Sequence, residues 1–101
     1  MKRKAKTRVR ITISPTLRHL SQLIDEPEVF EVRAANPLEC LQIMLQRYPS
    51  MRPWAYDKEG KLLPLIWFFV NDPEWREKLP PDQFTKPLRD GDELIIAFGK
   101  L

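Results

Sequence analysis

The sequence predicts one α+β domain in which a single main helix lies across one face of a mixed sheet of four to five strands. Three observations support this prediction. Strand-like segments recur along the chain, one well-capped amphipathic helix interrupts them, and 101 residues leave room for one core. We expect residues 9–101 to form this domain.

The first part of the chain contains two strand-like segments. Residues 9–13 alternate β-branched and polar side chains, which is typical of a half-buried strand, and Pro15 ends this pattern. Residues 16–24 are either a short helical turn or a packed loop. Residues 29–33 are expected to form a second strand, at the edge of the sheet.

The main helix is predicted by its signals at both ends. Asn36 suits the N-cap, Pro37 suits the first helical position, and Glu39 stands three residues after the cap, as in a capping box. Pro49 ends the helix. Between them, apolar side chains recur at helical spacing, and these are Leu38, Cys40, Leu41, Met44, Leu45 and Tyr48.

The last two strands are apolar on both faces. Residues 65–70 and 94–98 show no alternation, and residues 89–92 between them contain a glycine turn. One helix covers only one face, so if Leu94 and Ile96 face it, Ile95 and Ala97 face away. On the other strand either Leu65, Trp67 and Phe69 or Ile66, Phe68 and Val70 face away from the helix.

An uncovered apolar face predicts a docking surface for another protein. The alternative is that the Pro-rich loop of residues 73–87 folds over this face, with Trp75 or Phe84 as the lid. In a third arrangement, the loop and a partner protein share this face. In either case Trp67, Trp75, Ile95 and Ala97 are the candidate contact residues.

The net charge of +3 originates at the N-terminus. Residues 1–8 contain five basic side chains and no acid, and removing these five from 17 basic residues leaves 12 against 14 acidic ones. We expect residues 1–8 to be a basic, flexible tail. Such a tail either binds nucleic acid or is simply solvated, and since the rest of the chain has no second basic patch, nucleic acid is not the expected partner.

Several classes of chemistry are not indicated by the sequence. Cys40 is the one cysteine and His19 the one histidine, so no disulfide and no common zinc site is expected, and no cofactor or metal is predicted. The glycines are too scattered for a phosphate-binding loop. No apolar run reaches the roughly 20 residues that span a bilayer, so we expect no membrane association and a cytoplasmic location.

Five fragments, in order, resemble one known family, the ubiquitin-like sulfur carriers. The similarity extends over residues 8–98 and is greatest to the small subunit of molybdopterin synthase (MoaD), with the thiamine sulfur carrier ThiS as a further relative. The fragments are Val9–Ile13, Leu17-Arg18-x-Leu20, Gln46–Pro49, Phe69–Asn71 and Pro87–Leu94.

The resemblance implies a β-grasp (ubiquitin-like) fold and a protein partner, either an activating enzyme or a protein like the synthase large subunit. It also implies that Arg18, in the Leu-Arg pair of the family, marks the docking edge. Family members end in Gly-Gly, whose terminal carboxylate becomes a thiocarboxylate. Here the C-terminal residues are Phe98, Gly99, Lys100 and Leu101, and small residues, Ser14 and Ala97, stand where the family often has large aromatics.

These observations predict a non-enzymatic, MoaD/ThiS-like protein that docks on a partner through the open sheet face and the C-terminal strand. The predicted partner-binding residues are Arg18, Trp67, Trp75, Ile95 and Ala97. One alternative is an active sulfur carrier for molybdopterin-type or thiamine-type biosynthesis. A second is an RNA-associated β-grasp module that uses the basic tail.

Overall fold

The computed structural model describes residues 7–99, and within them four strands form one mixed sheet in the order β2-β1-β4-β3. β1 pairs antiparallel with β2 and parallel with β4, and β4 pairs antiparallel with β3. The strands are β1 (Thr7–Ile13), β2 (Val29–Ala34), β3 (Ile66–Val70) and β4 (Asp92–Phe98). This confirms the predicted fold class, with β2 at the sheet edge as expected.

Helical segments connect these strands. They are α1 (Pro15–Leu20), α2 (Pro37–Arg47) and α3 (Arg52–Ala55), together with 3-10 turns at Pro49–Met51 and Pro81–Gln83. α2 begins as its capping residues predict, because the Asn36 side chain accepts a hydrogen bond from the Glu39 amide at 2.8 Å. The Glu39 carboxylate in turn accepts from the Ala35 amide at 3.0 Å, one residue before the position of a standard capping box.

Several boundaries differ from the sequence-based prediction by one or two residues, and one short helix was not predicted. β1 begins at Thr7, and Arg8 pairs with Arg33 of β2, so Thr7 and Arg8 belong to the sheet rather than to the predicted tail. Residues 1–6, the rest of that tail, lie outside the described residues. α3 was not predicted, because four residues around Pro53 are too few to show a helical period.

The core lies on the α2 side of the sheet. Each strand contributes buried side chains to it, and α2 adds Cys40, Leu41, Met44 and Leu45. Phe68 of β3 is fully buried and packs edge-on against Phe84, with ring centroids 4.8 Å apart. Phe84 therefore seals the core side of the sheet and is not the lid of the opposite face.

Candidate docking surface

The face of the sheet opposite α2 is formed by the residues that strand parity predicts. Leu94 and Ile96 are fully buried in the core, so Ile95 and Ala97 project to the other side. Of the two alternatives for β3, Trp67 and Phe69 project away from α2, because Phe68 is paired with Ile96. We call this surface the open face.

A loop of residues 71–79, which we call the strap, covers part of the open face. The Trp75 ring stacks on Phe69, with centroids 5.8 Å apart and an interplanar angle of 26°. Phe69 is consequently 3% exposed, whereas Trp75 itself remains 42% exposed. The lid and the docking surface predicted from the sequence thus share one region, with Trp75 as its outer layer.

The strap holds Trp75 in an unusual backbone conformation. Its φ is 57°, in the left-handed region that bulky residues rarely adopt. The loop is fixed on either side of it, since the Glu77 amide donates to the Asp72 carboxylate at 2.8 Å and the Leu79 amide donates to the Phe68 carbonyl at 2.8 Å. Backbone strain that persists under such anchoring is often found at functional sites.

Trp67 occupies the open face next to the C-terminal strand. Its indole lies edge-on to Phe69 at 6.5 Å, and the Lys78 ammonium sits 4.4 Å from its ring centroid. The indole N–H donates to the Pro64 carbonyl at 3.2 Å, which fixes the ring orientation. A Cβ added at Gly99 would lie 2.2 Å from the Trp67 Cε2 atom. The Trp67 ring therefore packs directly against the Gly99 backbone, where a side chain does not fit.

The residues at the C-terminal end of β4 are held by contacts with neighbouring segments. The Gly99 amide donates to the Leu65 carbonyl at 2.6 Å, and Phe98 lies edge-on to Trp54 with centroids 6.0 Å apart. Gly99 is buried. Lys100 and Leu101, the remainder of the predicted C-terminal tail, lie outside the described residues.

The small side chains predicted to distinguish this surface are both buried. Ala97 and Ser14 are each 2% exposed. Ser14 uses its hydroxyl oxygen to accept from the Leu17 and Phe98 amides, at 3.3 and 3.4 Å, and so ties α1 to the end of β4. Ala97 lies opposite Trp67 in the pairing of β3 with β4. Its small side chain packs beneath the surface and offers little exposed area for direct contact.

Arg18, predicted to mark the docking edge, lies in α1 and is held by the loop that follows this helix. Its Nη2 atom donates to the carbonyls of Leu23, Ile24 and Glu26 at 3.3, 3.1 and 2.7 Å, and its side chain is only 15% exposed. The guanidinium therefore closes the loop that follows α1, which gives Arg18 a structural role, and its predicted part in docking stays a prediction.

We expect Arg18→Ala to lower the free energy of unfolding by about 1.5–3 kcal/mol, the usual contribution of hydrogen bonds to a charged group. Urea denaturation of the two proteins measures this difference. Arg47→Ala is the matched control, because Arg47 is exposed on α2 and should change stability by less than about 0.5 kcal/mol. Equal losses in both variants would contradict the assigned role of Arg18.

Solved structures with the same architecture identify the fold. The chain is similar to small archaeal modifier protein 1 of Haloferax volcanii, with a TM-score of 0.70, 14% identity, and coverage of 93% of this chain and 99% of that one. It is also similar to a chain of the BexX/CysO complex of Amycolatopsis orientalis, with a TM-score of 0.65, 24% identity, and coverage of 92% and 97%. These neighbours decide the fold.

This is the ubiquitin-like β-grasp.

A third β-grasp neighbour comes from the complex of subunits 1 and 2 of the molybdopterin-converting factor of Helicobacter pylori, with a TM-score of 0.56, 18% identity, and coverage of 94% of this chain and 97% of that one. No protein-family model and no curated protein matches the sequence. The likeness therefore rests on structure, and it agrees with the fold that the five sequence fragments imply.

The described part of this β-grasp domain brings together few metal-binding groups, and it buries the cysteine. Among residues 7–99, no group of three or more His, Cys, Asp or Glu side chains is placed to hold a metal ion. Burial, with a smaller effect from Glu39, raises the pKa of the Cys40 thiol to about 12. Among residues 7–99, no helix is long and apolar enough to cross a membrane.

Sequence reasoning missed the stacking of Trp75 on Phe69 and the pairing of Trp54 with Phe98. Both join residues that are distant in the chain, so no local period reveals them. The one available signal for Trp54 was an aromatic residue among prolines, just after a helix. That pattern indicates that Trp54 packs against the domain but does not identify the residue it contacts.

Proposed function

We propose that this β-grasp protein binds a partner protein through its open face and C-terminal strand and catalyses no reaction itself. Two of the similar structures contain a second protein, BexX in one and the other subunit of the converting factor in the other. The partner of this chain is by analogy an activating enzyme or a protein like the synthase large subunit.

The observation that carries this proposal is the exposure of Trp75 over the buried ring of Phe69. Its inner face contacts Phe69, and 42% of the residue still faces solvent. A partly exposed tryptophan on a rigid support loses little conformational entropy on binding and buries a large apolar area. Trp67 and Ile95, both half-buried, extend the same surface.

The test is affinity capture from the source cells with the tagged protein, followed by binding measurements with the purified partner. We expect Trp75→Ala to weaken binding to that partner by about 10- to 100-fold, in the range of interface hot spots. Gln46→Ala, on the exposed side of α2, is the matched control and should bind like the unchanged protein. A partner that binds Trp75→Ala with full affinity would refute the proposed surface.

The active sulfur carrier is the second candidate, since the fold and the family resemblance both favour it. The packing of Gly99 against Trp67 argues against it, because a glycine fixed in this way does not belong to a freely threading tail. Incubation with a matched activating enzyme and ATP tests this point. We expect no acyl-adenylate, whereas a terminal thiocarboxylate detected by intact mass would favour the carrier.

The RNA-binding alternative depends on the basic N-terminal segment. Because Thr7 and Arg8 are part of β1, the informative deletion removes residues 1–6 only. If this segment binds RNA, affinity should fall steeply with salt and disappear on deletion. Binding that is unchanged by the deletion would exclude the tail as the RNA-binding element.

A further inference from the structure

The outer edge of β2 is uncovered in the described part of the chain. Within residues 7–99, β2 pairs with β1 on its inner side and no strand lies beyond it. The opposite edge of the sheet is better covered, because the Leu79 amide of the strap donates to the Phe68 carbonyl of β3 at 2.8 Å. An uncovered edge presents backbone groups to which a further strand is able to pair, and β2 is the edge that offers them.

The strand register identifies the backbone groups that face outward. The Ser14 amide, at the end of β1, donates to the Ile96 carbonyl of β4 at 2.9 Å. Alternate residues of a central strand bond to opposite neighbours, so Ile11 bonds to Phe30 of β2. The residues of β2 that alternate with these bonded positions direct their amides and carbonyls away from the sheet. They are Val29, Glu31 and Arg33, and within residues 7–99 their backbone groups have no hydrogen-bond partner.

The exposed side chains of this edge carry opposite charges two residues apart. Glu31 lies 3.9 Å from Arg8 of β1, and both side chains are mostly exposed, so this ion pair is weak. Arg33 lies directly opposite Arg8, which has the same charge. Among residues 7–99, Arg33 forms no ion pair. A carboxylate brought to the outer side of Arg33 would therefore stabilise this edge.

A second copy of β2 supplies that carboxylate in one antiparallel register. When Val32 faces Val32 of the second copy, Glu31 of each copy lies opposite Arg33 of the other. Both residues have outward backbone groups, so each of these two pairs exchanges amide and carbonyl hydrogen bonds. Opposite charges directly across a strand pair are favourable. The same register thus satisfies the free backbone groups and the charges.

The neighbouring registers fail on charge or on backbone bonding. A shift by two residues places Glu31 opposite Glu31, or Arg33 opposite Arg33, and like charges in these positions are destabilising. A shift by four residues places Arg33 opposite Pro27, which has no amide hydrogen, or opposite Ala35. The Ala35 amide is already bonded to the Glu39 carboxylate and its carbonyl to the Leu88 amide.

Pairing about Val32 produces a closed dimer. The two copies are related by a two-fold axis perpendicular to the sheet, so each β2 edge is used once and no further copy adds there. Both copies of α2 lie on one side of the joined sheet and both open faces lie on the other. Trp75 stacks over β3, at the far edge from β2, and stays accessible to a partner protein.

We propose that two copies of this chain associate through β2, antiparallel about Val32, and form one continuous sheet. The inference is independent of the proposed function, because it uses the opposite edge of the sheet from Trp75. The contact involves one six-residue strand from each copy. This is less than a standard protein interface, so we expect a dissociation constant on the order of 100 µM.

The full chain is tested first, by sedimentation equilibrium from about 10 µM to about 1 mM. We expect the dimer fraction to rise across this range. At the highest concentration the amides of Glu31 and Arg33 should exchange with solvent at least about 3-fold more slowly than at the lowest, because they become hydrogen-bonded. The Lys58 amide, in an exposed loop, is the internal control and should not change.

Charge reversal tests the register. Glu31→Arg and Arg33→Glu each place like charges opposite one another, and each should weaken self-association at least 10-fold. An equimolar mixture of the two variants restores both opposite-charge pairs and should dimerise like the unchanged protein. Glu59→Arg mixed with Arg47→Glu is the matched control, because it makes the same charge changes at exposed positions away from β2. Each control variant should also associate normally alone.

Four outcomes would overturn the inference. They are a monomer at every concentration, self-association that neither charge reversal weakens, a mixture of the two variants that stays monomeric, and self-association that is lost in Trp75→Ala. The first would mean that Glu31 and Arg33 keep other strands away from the edge. Full partner binding by Trp75→Ala would instead refute the proposed function and leave the β2 dimer intact.

Discussion

Replacing Gly99 with alanine is expected to lower the free energy of unfolding by about 1–3 kcal/mol, the usual cost of forcing an extra methyl group into a packed site. The new Cβ would lie 2.2, 2.4 and 2.5 Å from three atoms of the Trp67 indole. These atoms belong to a ring that is also held by the Pro64 carbonyl and by Lys78, so the ring has few alternative positions. Urea denaturation monitored by tryptophan fluorescence and circular dichroism measures the loss.

A double-mutant cycle identifies the cause of that loss. In the background of Trp67→Leu, which removes the indole, Gly99→Ala should cost less than about 0.5 kcal/mol. Additive effects of the two substitutions would show that the glycine is required for another reason. Because Gly99 directly follows β4, the same variants also test whether packing at the end of this strand controls partner binding.

The Cys40 thiol is expected to react with a thiol reagent such as dithionitrobenzoate far more slowly in the folded protein than in the unfolded one. Burial raises its pKa from 9.0 to about 12, and the residue is 0% exposed. Because the thiolate is the reacting species, the shift alone lowers the reactive fraction at pH 8 about 1000-fold. Labelling with and without denaturant measures the ratio, and rapid labelling of the folded protein would contradict the burial of this residue.

The same shift makes stability depend on pH in the alkaline range. The folded thiol keeps its proton above pH 9, where the unfolded thiol loses it, so the folded state binds more protons. Stability should therefore fall as the pH rises from about 9 towards 12. Cys40→Ala lacks this titration and should show a shallower decline, which denaturation at several pH values detects. The same dependence of stability on pH in both proteins would contradict the assignment of this titration to Cys40.

The local elements were predictable because their signals lie within a few residues. The cap of α2 depends on Asn36 and Glu39, three residues apart, and both hydrogen bonds form. The alternation of apolar and polar side chains in β1 predicted which of them face the core. For β3 both parities are apolar, so the sequence left two alternatives, and only the pairing of Phe68 with Ile96 decides between them.

The candidate site was less predictable because it depends on long-range contacts. The argument that one helix covers one face placed Ile95 opposite the helix if Leu94 faced it, and it left Trp67 as one of two alternatives. The structural role of Arg18 was not predicted, since its three carbonyl partners lie in a loop whose path the sequence does not specify.

The adjacency of β1 and β4 has a consequence for biosynthesis. β1 pairs with β4 on one side, so a growing chain on the ribosome cannot complete this sheet before Asp92–Phe98 has been made and has left the exit tunnel. A translation product interrupted before this strand would lack the central pairing and the open face that is built on it. Binding to the open face would therefore discriminate against such truncated chains.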